Sequence, residues 1–253
     1  MTSIERKVAL VTGASQGIGA AVAAHLAKCG AHVVLVARSK DTIDANVNTI
    51  IAAGGVAEGV SCDVSDYAQV KDAVDFCVEK HGSIDIVVNN AGTIDPISRM
   101  TDSDPEVWSK AVDINYKGVY FSLRAALPHM EKQGSGTIVN LSSGAANSAL
   151  EGWSHYCSTK AAAKKLTECA HKEMHEKGIR VVGLSPGTVM TDMMDKIKKS
   201  GINAVSQLDP SVHISPEWVA RAVAFLCTPA ADEFLGTDFS IKTEEGRKLV
   251  GLI

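Results

Sequence analysis

Apolar residues follow two rhythms along this chain. At residues 8–11, 32–37, 56–61 and 84–88 they run almost unbroken, the pattern of strands covered on both faces. Between these runs, Ile18, Val22, Leu26 and Cys29, then Ile43, Val47, Ile50 and Ile51, then Val70, Val74 and Cys77 recur at three- or four-residue spacing, which predicts helices with one buried stripe. Strands alternating with helices predict a parallel sheet, because each crossover must return to the same end of the sheet.

The second half continues the alternation. A long helix is predicted from about 105 to 132, with Asp104 as cap and Pro105 at its first position. A strand at 137–141, a helix from about 153 to 177 and a strand at 180–184 follow, then a helix after Ser215-Pro216 and a last strand near 237–241. From 186 to 212 the sequence turns to Met, Lys, Ser and Gly without clear period, which predicts a mobile excursion. With no repeat, low-complexity tract or linker, residues 1–253 read as a single doubly wound α/β domain with helices on both faces.

Composition narrows the function class. Hydrophobic residues make up 45% and charged residues 21%, ordinary for a globular protein and unlike fibrous or disordered chains. With 25 Lys plus Arg against 29 Asp plus Glu, the net charge of −4 argues against nucleic acid as a partner and favours a small molecule. Residues 1–7 carry charges where a signal peptide needs an apolar stretch, and no apolar run of 18 residues occurs, so a cytoplasmic protein without membrane attachment is expected. Cys29, Cys62, Cys77, Cys157, Cys169 and Cys227 lack C-x-x-C spacing and read as reduced thiols. His171 and His175 stand four apart but lack the H-E-x-x-H order and a third ligand, so no metal site is expected and a solvated helix face is the better reading. The lysines within 196–199 read as exposed charge.

The chemistry begins after the first strand, at Thr12-Gly13-Ala14-Ser15-Gln16-Gly17-Ile18-Gly19. Glycines 13, 17 and 19 permit a tight turn, close approach of backbone to a pyrophosphate and close helix packing, while the helix N-terminus faces the anion. The spacing G-x-x-x-G-x-G resembles the short-chain dehydrogenase/reductase family, and further family motifs appear in order: Asn89-Asn90-Ala91-Gly92 after strand four, Asn115 in the long helix, Ser142-Ser143 ending strand five, Tyr156-Cys157-Ser158-Thr159-Lys160 opening the next helix, and Pro186-Gly187 after strand six. The resemblance spans about residues 5–241 and implies a Rossmann fold. Where many relatives carry D-G-G after the last strand, this chain reads Phe239-Ser240-Ile241-Lys242-Thr243-Glu244-Glu245-Gly246, so the resemblance implies no closer assignment and does not carry over the family's oligomer contacts near the C-terminus.

The resemblance implies a catalytic set of Asn115, Ser143, Tyr156 and Lys160. Tyr156 and Lys160 share a helix face at i,i+4, so an ammonium can stabilise a phenolate whose unperturbed pKa, about 10, is too high for proton transfer at neutral pH. Tyr156 would then be the proton donor in carbonyl reduction or the base in alcohol oxidation. Ser143, thirteen residues before Tyr156, would bond the substrate oxygen, and Ser142 reads as structural. Asn115 would shape its helix and share a proton relay to Lys160. Gly13, Ser15, Gln16, Gly17, Ile18, Gly19, Arg38, Ser39, Asp63, Val64, Asn90, Ala91, Gly92, Tyr156, Lys160, Pro186, Gly187, Val189 and Thr191 would bind the cofactor, with Asp63 on the adenine edge. An excursion at about 188–214 would cover the substrate, and Trp153, Met190, Met193 and Met194 are candidates for an apolar wall, core packing or an oligomer surface.

Cofactor preference turns on the end of strand two. Eighteen residues after Gly19, where NAD-preferring relatives place a carboxylate, stands Ala37, followed by Arg38, Ser39 and Lys40, a cluster suited to a 2′-phosphate. Gln16 stands where many NADP-preferring relatives carry a basic residue. The expected cofactor is NADP(H), with NAD(H) possible, and the expected substrate a small carbonyl compound or alcohol. An NAD-linked dehydrogenase of a polyol, sugar or hydroxy acid, and a dinucleotide-sensing binding protein, are the alternatives. The resemblance also implies a homotetramer.

Overall fold

A computed structural model describes residues 4–253; Met1–Ser3, part of the charged N-terminus discussed above, lie outside the described residues. Among the described residues, seven strands pair in parallel: β1 (Val8–Thr12), β2 (His32–Ala37), β3 (Val56–Ser61), β4 (Ile86–Asn89), β5 (Gly136–Leu141), β6 (Ile179–Ser185) and β7 (Asp238–Ser240), in the order β3-β2-β1-β4-β5-β6-β7. The helices are α1 (Gly17–Lys28), α2 (Lys40–Ala52), α3 (Tyr67–His81), α4 (Pro105–Val112), α5 (Gly118–Gln133), α6 (Ser154–Met174), α7 (Asp192–Ser200), α8 (Pro216–Leu226) and α9 (Glu244–Val250).

Alternation along the strands divides the core. Ala9 and Val11 of β1 pack with Val22 and Leu26 of α1 and with Val219 and Val223 of α8, while Val8 and Leu10 face α3, α5 and α6 on the other side. The doubly wound α/β fold is therefore the one that the periodicity predicts. The strand order reverses between β1 and β4, and that switch point opens the crevice at the C-terminal edge of the sheet.

Four segments depart from expectation. The 105–132 helix is three pieces, because a π-helical turn at Asp113–Lys117 lies between α4 and α5. There the Asn115 side chain turns inward and bonds both backbone groups of Thr93, accepting from N at 2.8 Å and donating to O at 2.9 Å. The fourth strand starts at Ile86 and not at 84, since Ile84 N donates to Gln133 Oε1 at 3.0 Å instead of to a strand. Residues 186–212 contain ordered structure: α7 buries Met194 and Ile197 beside Ile94 and Trp153. The chain also ends in α9, which its short apolar pattern did not announce; Thr243 caps it by accepting from Gly246 N at 3.1 Å.

None of the helices among the described residues is long and apolar enough to cross a membrane. The six cysteines are free thiols. His171 is only half solvated, because its ring packs where a Cβ on Gly236 would fall, so the solvated-face reading holds for His175 alone. Of the Lys196–Lys199 group, Lys196 reaches Asp95 at 2.6 Å.

Candidate active site

The β1–α1 turn is built by clearances only glycine allows. Gly13 and Gly17 have φ of 65° and 56°, the left-handed region. A Cβ on Gly13 would stand 2.8 Å from Ala91 Cα, and one on Gly19 would run into the Gly13 carbonyl and stand 2.6 Å from Asn90 Nδ2. Asn90 Nδ2 donates to Thr12 O at 2.9 Å and Gly13 O at 3.1 Å, so the turn is clamped to the end of β4. Asn46 on α2 braces the turn from the other side, donating to Ala14 O at 3.0 Å and Ser15 O at 2.9 Å. That contact comes from 31 residues away, and sequence reasoning passed over it.

Gln16 makes no side-chain bond to the amides of the first turn of α1, and no acidic residue lies in that turn. An open helix N-terminus beside three glycines suits a pyrophosphate. The residues thus fit a dinucleotide. A cavity of about 1250 Å³ runs from this turn along the sheet edge. It is lined by Gly13, Ser15, Gln16, Gly17 and Ile18, by Arg38, Ser39, Asp63 and Val64, by Asn90, Ala91 and Gly92, and by Pro186, Gly187, Val189 and Thr191. Gly19 and Asn115 lie behind the wall, where they support it.

At the β2 end, Ala37 lines the cavity and offers no carboxylate. Ser39 Oγ is 2.8 Å from Thr42 Oγ1, which also lines it. Lys40 departs from expectation: its ammonium is held by Asp44 at 2.9 Å, and it is outside the wall. Burial tends to raise the Asp63 pKa, but bonds from Ser65 and the nearby Lys110 outweigh it and hold the carboxyl below its ordinary range. Asp63 Oδ1 accepts from Ser65 N at 2.9 Å and Ser65 Oγ at 2.6 Å.

At the other end stand Ser143, Tyr156 and Lys160, all on the cavity wall. They are aligned from beneath by a buried polar chain that sequence reading did not anticipate. Asn89 Nδ2 on β4 donates to Asn140 Oδ1 on β5 at 2.8 Å, and Asn140 Nδ2 donates to Thr167 Oγ1 on α6 at 2.8 Å. Asn89 Oδ1 is buried without a partner among the described residues, while the two bonds made tie β4, β5 and α6 together. Asn115 adds a second tie to α6, donating to Thr159 Oγ1 at 3.3 Å; its side chain makes no bond to Lys160.

Electrostatics here differ from the simple ammonium–phenolate pair. Lys160 is buried, and its Nζ donates to Leu141 O at 2.6 Å, lying 5.7 Å from the Tyr156 ring centroid. Burial pushes the Lys160 pKa down to about 8, against the pull of Asp238. Burial also pushes the Tyr156 phenol up to about 12, opposed by a hydrogen bond with Ser143. In this geometry the Lys160 ammonium is directed at the Leu141 carbonyl, and burial is the largest influence on the phenol.

The apolar part of the cavity is walled by Trp153, Met193 and Met194, with Trp153 edge-on to Tyr156 at 5.6 Å between centroids. Met190 is 53% exposed and points away, a correction to its place among the wall candidates. Val189 bridges to Ile214, and Thr188, Val189 and Thr191 line the cavity while Met190 between them does not. Lys242 and Arg247 also line the cavity, in the segment that departs from D-G-G. Among the described residues no group of three His, Cys, Asp or Glu could hold a metal.

The chain is similar along most of its length to known proteins. A family model described as short chain dehydrogenase matches residues 7–201. Human "Dehydrogenase/reductase SDR family member 4" is 36% identical over 238 residues, 92% of this chain and 85% of that protein. A single-substitution variant of actinorhodin polyketide ketoreductase, solved with NADPH, superposes with a TM-score of 0.87 at 27% identity over 95% of this chain and 97% of that one. NAD+-bound xylitol dehydrogenase superposes with a TM-score of 0.88 at 26% identity, covering 95% of this chain and 99% of that one. On the family match and these similarities, the chain belongs to the short-chain dehydrogenase/reductase family, oxidoreductases that pass a hydride between NAD(P) and a carbonyl or alcohol carbon.

Proposed function

We propose that this protein is an NADP(H)-preferring carbonyl reductase or alcohol dehydrogenase of small molecules, with Asn115, Ser143, Tyr156 and Lys160 as its working set. The observation that supports it is the meeting of Ser143, Tyr156 and Lys160 on the wall of the cavity whose far end carries the glycine turn. A bound nicotinamide supplies the hydride in reduction and takes it in oxidation. Tyr156 gives its phenolic proton to the substrate oxygen as charge builds there, and Ser143 donates a hydrogen bond to the same oxygen. Lys160, anchored on the Leu141 carbonyl, places a positive charge behind the phenol. Asn115 holds the π-turn and, through Thr159, the start of α6. In this reading residues 188–214 cover the substrate, and Trp153, Met193 and Met194 exclude water from it.

The preference for NADP(H) is read from Ala37, Arg38, Ser39 and Thr42 at the cavity rim, where no carboxylate would repel a 2′-phosphate. The homotetramer belongs to the same reading. Val107 on α4 is 41% exposed and Tyr120 on α5 is 48% exposed, apolar surface a second copy would cover. A cytoplasmic setting agrees with the six free thiols.

Tyr156→Phe is expected to lower kcat at least about 100-fold while the Kd for NADPH, read by fluorescence, stays within about twofold, because only the acid is removed. Retention of a tenth of the native kcat would refute the assignment. Native kcat/KM is expected to favour NADPH over NADH by about ten- to a hundredfold, the worth of one or two charge-assisted bonds, and Ala37→Asp with Arg38→Leu to reverse it. Stability should report Lys160 as well. Its pKa of about 8 lies below that of an unfolded lysine, so the unfolded chain binds more protons between pH 8 and 10.5 and stability rises across that window. Lys160→Met should abolish this rise in urea titrations at pH 8, 9 and 10. Sedimentation equilibrium at micromolar concentration should give the tetramer, and a monomer would overturn it.

A further inference from the structure

Asp238 sits at the start of β7, opposite Gly183 of β6, which in turn pairs with Asn140 of β5. Its carboxylate reaches over Gly183: a Cβ at that position would overlap Asp238 Oδ1. Past this gap, Asp238 Oδ2 accepts a hydrogen bond from Ser142 Oγ at 2.7 Å. Ser142 is buried at the end of β5, and its amide donates to Leu184 O at 2.8 Å. On one side of it is Leu141, whose carbonyl receives Lys160 Nζ; on the other is Ser143, whose hydroxyl accepts from Ala145 N at 3.2 Å. The three residues 141–143 thus carry the anchor of one proposed catalytic group and the whole of another, and Asp238 holds the middle one.

A carboxylate is a costly way to fill this place if packing were its only purpose. Asp238 Oδ1 is buried with no hydrogen-bond partner among the described residues, and burial raises the acid's pKa. The charged groups facing it all come from α6: Lys160 and Lys164 attract it, and Glu168 opposes them. Lys164 also donates to Asn147 Oδ1 at 2.8 Å, at the far end of the turn that Ser143 begins. The same acid therefore faces two lysines that both hold the 141–147 segment.

We propose that Asp238 is a positioning residue for the reaction, acting through Ser142 to hold residues 141–143 where Ser143 and the carbonyl anchoring Lys160 are aligned for proton transfer. This rests on the reading of Ser143, Tyr156 and Lys160 given above. A bond reaching over β6 to the residue between two working groups can govern alignment, since small misplacements of a catalytic group cost rate.

The test uses the full chain with 2,3-butanedione and NADPH as probes, and the variants Asp238→Ala, Asp238→Asn, Ser142→Ala, Asp238→Ala with Ser142→Ala, and Tyr156→Phe. Asp238→Ala and Ser142→Ala are each expected to lower kcat about tenfold with KM for NADPH within about twofold, and the double variant to be no slower than either, because both remove one bond. Asp238→Asn keeps an oxygen that accepts from Ser142 and should recover to within about threefold of native. Independently of turnover, hydrogen exchange of the free enzyme should quicken at the Ser142 and Ala145 amides in Asp238→Ala, with Val181 and Val182 in the middle of β6 unchanged. Native exchange at 142 and 145, additive losses, or a kcat within twofold of native for Asp238→Ala would each overturn the proposal; a uniform rise in exchange through β6 would do so as well, by showing a role in stability alone. If Tyr156→Phe retained native turnover, the reading of the catalytic set would fail, while the exchange arm would still decide whether Asp238 holds the segment.

Discussion

The site depends on how closely α1 can approach the end of β1. Gly19 has no side chain to strike the Gly13 carbonyl, so α1 settles directly onto the turn, and Asn90 fills the space beside it with an amide that bonds two carbonyls at the end of β1. This one junction ties β4 to β1 at the switch point of the sheet. It aims the open N-terminus of α1 into the cavity and sets the start of the 90–95 segment, from which Thr93 takes hold of Asn115. A methyl group at 19 would push α1 outward and release each of these in turn.

The far half of the cavity is held by a different means. Apolar packing alone would let α6 slide along the sheet by fractions of a turn, and polar groups prevent that. The Asn89–Asn140–Thr167 chain joins two strands to α6 in the buried layer, and Asn115 meets Thr159 one layer higher. Tyr156 and Lys160 ride on the same helix, so their positions against Ser143 follow from bonds made farther along it. Buried amides of this type add specificity more surely than stability, because each must find its partner or go unsatisfied.

Burial shapes the protonation of these groups as much as charge does. In the same small volume it drives the Lys160 ammonium down to about 8 and the Tyr156 phenol up to about 12, bringing the lysine toward neutrality and holding the phenol in its protonated form. Ser143 and Asp238 act against these shifts, one through the phenol and the other through the ammonium. The relative placement of these four groups is set by the ends of β5 and β7 together with α6.

Much of this was legible before any coordinates. Glycines at 13, 17 and 19, the Tyr156/Lys160 spacing and the continuous apolar strands are local patterns whose geometry follows from the turn or helix they lie in, so residue order was enough to place them. Other features required the folded chain. Ser142 and Asp238 meet across 96 residues because β5, β6 and β7 pair in one register and Gly183 leaves a gap between them. Asn46 reaches the glycine turn, Lys40 is drawn off to Asp44 and Met190 points outward for the same kind of reason: each depends on which face of a helix or loop the packing turns inward. Local periodicity decides what element a segment becomes, whereas the partner of a side chain is decided by strand pairing and helix docking, which bring together residues that no window of sequence contains.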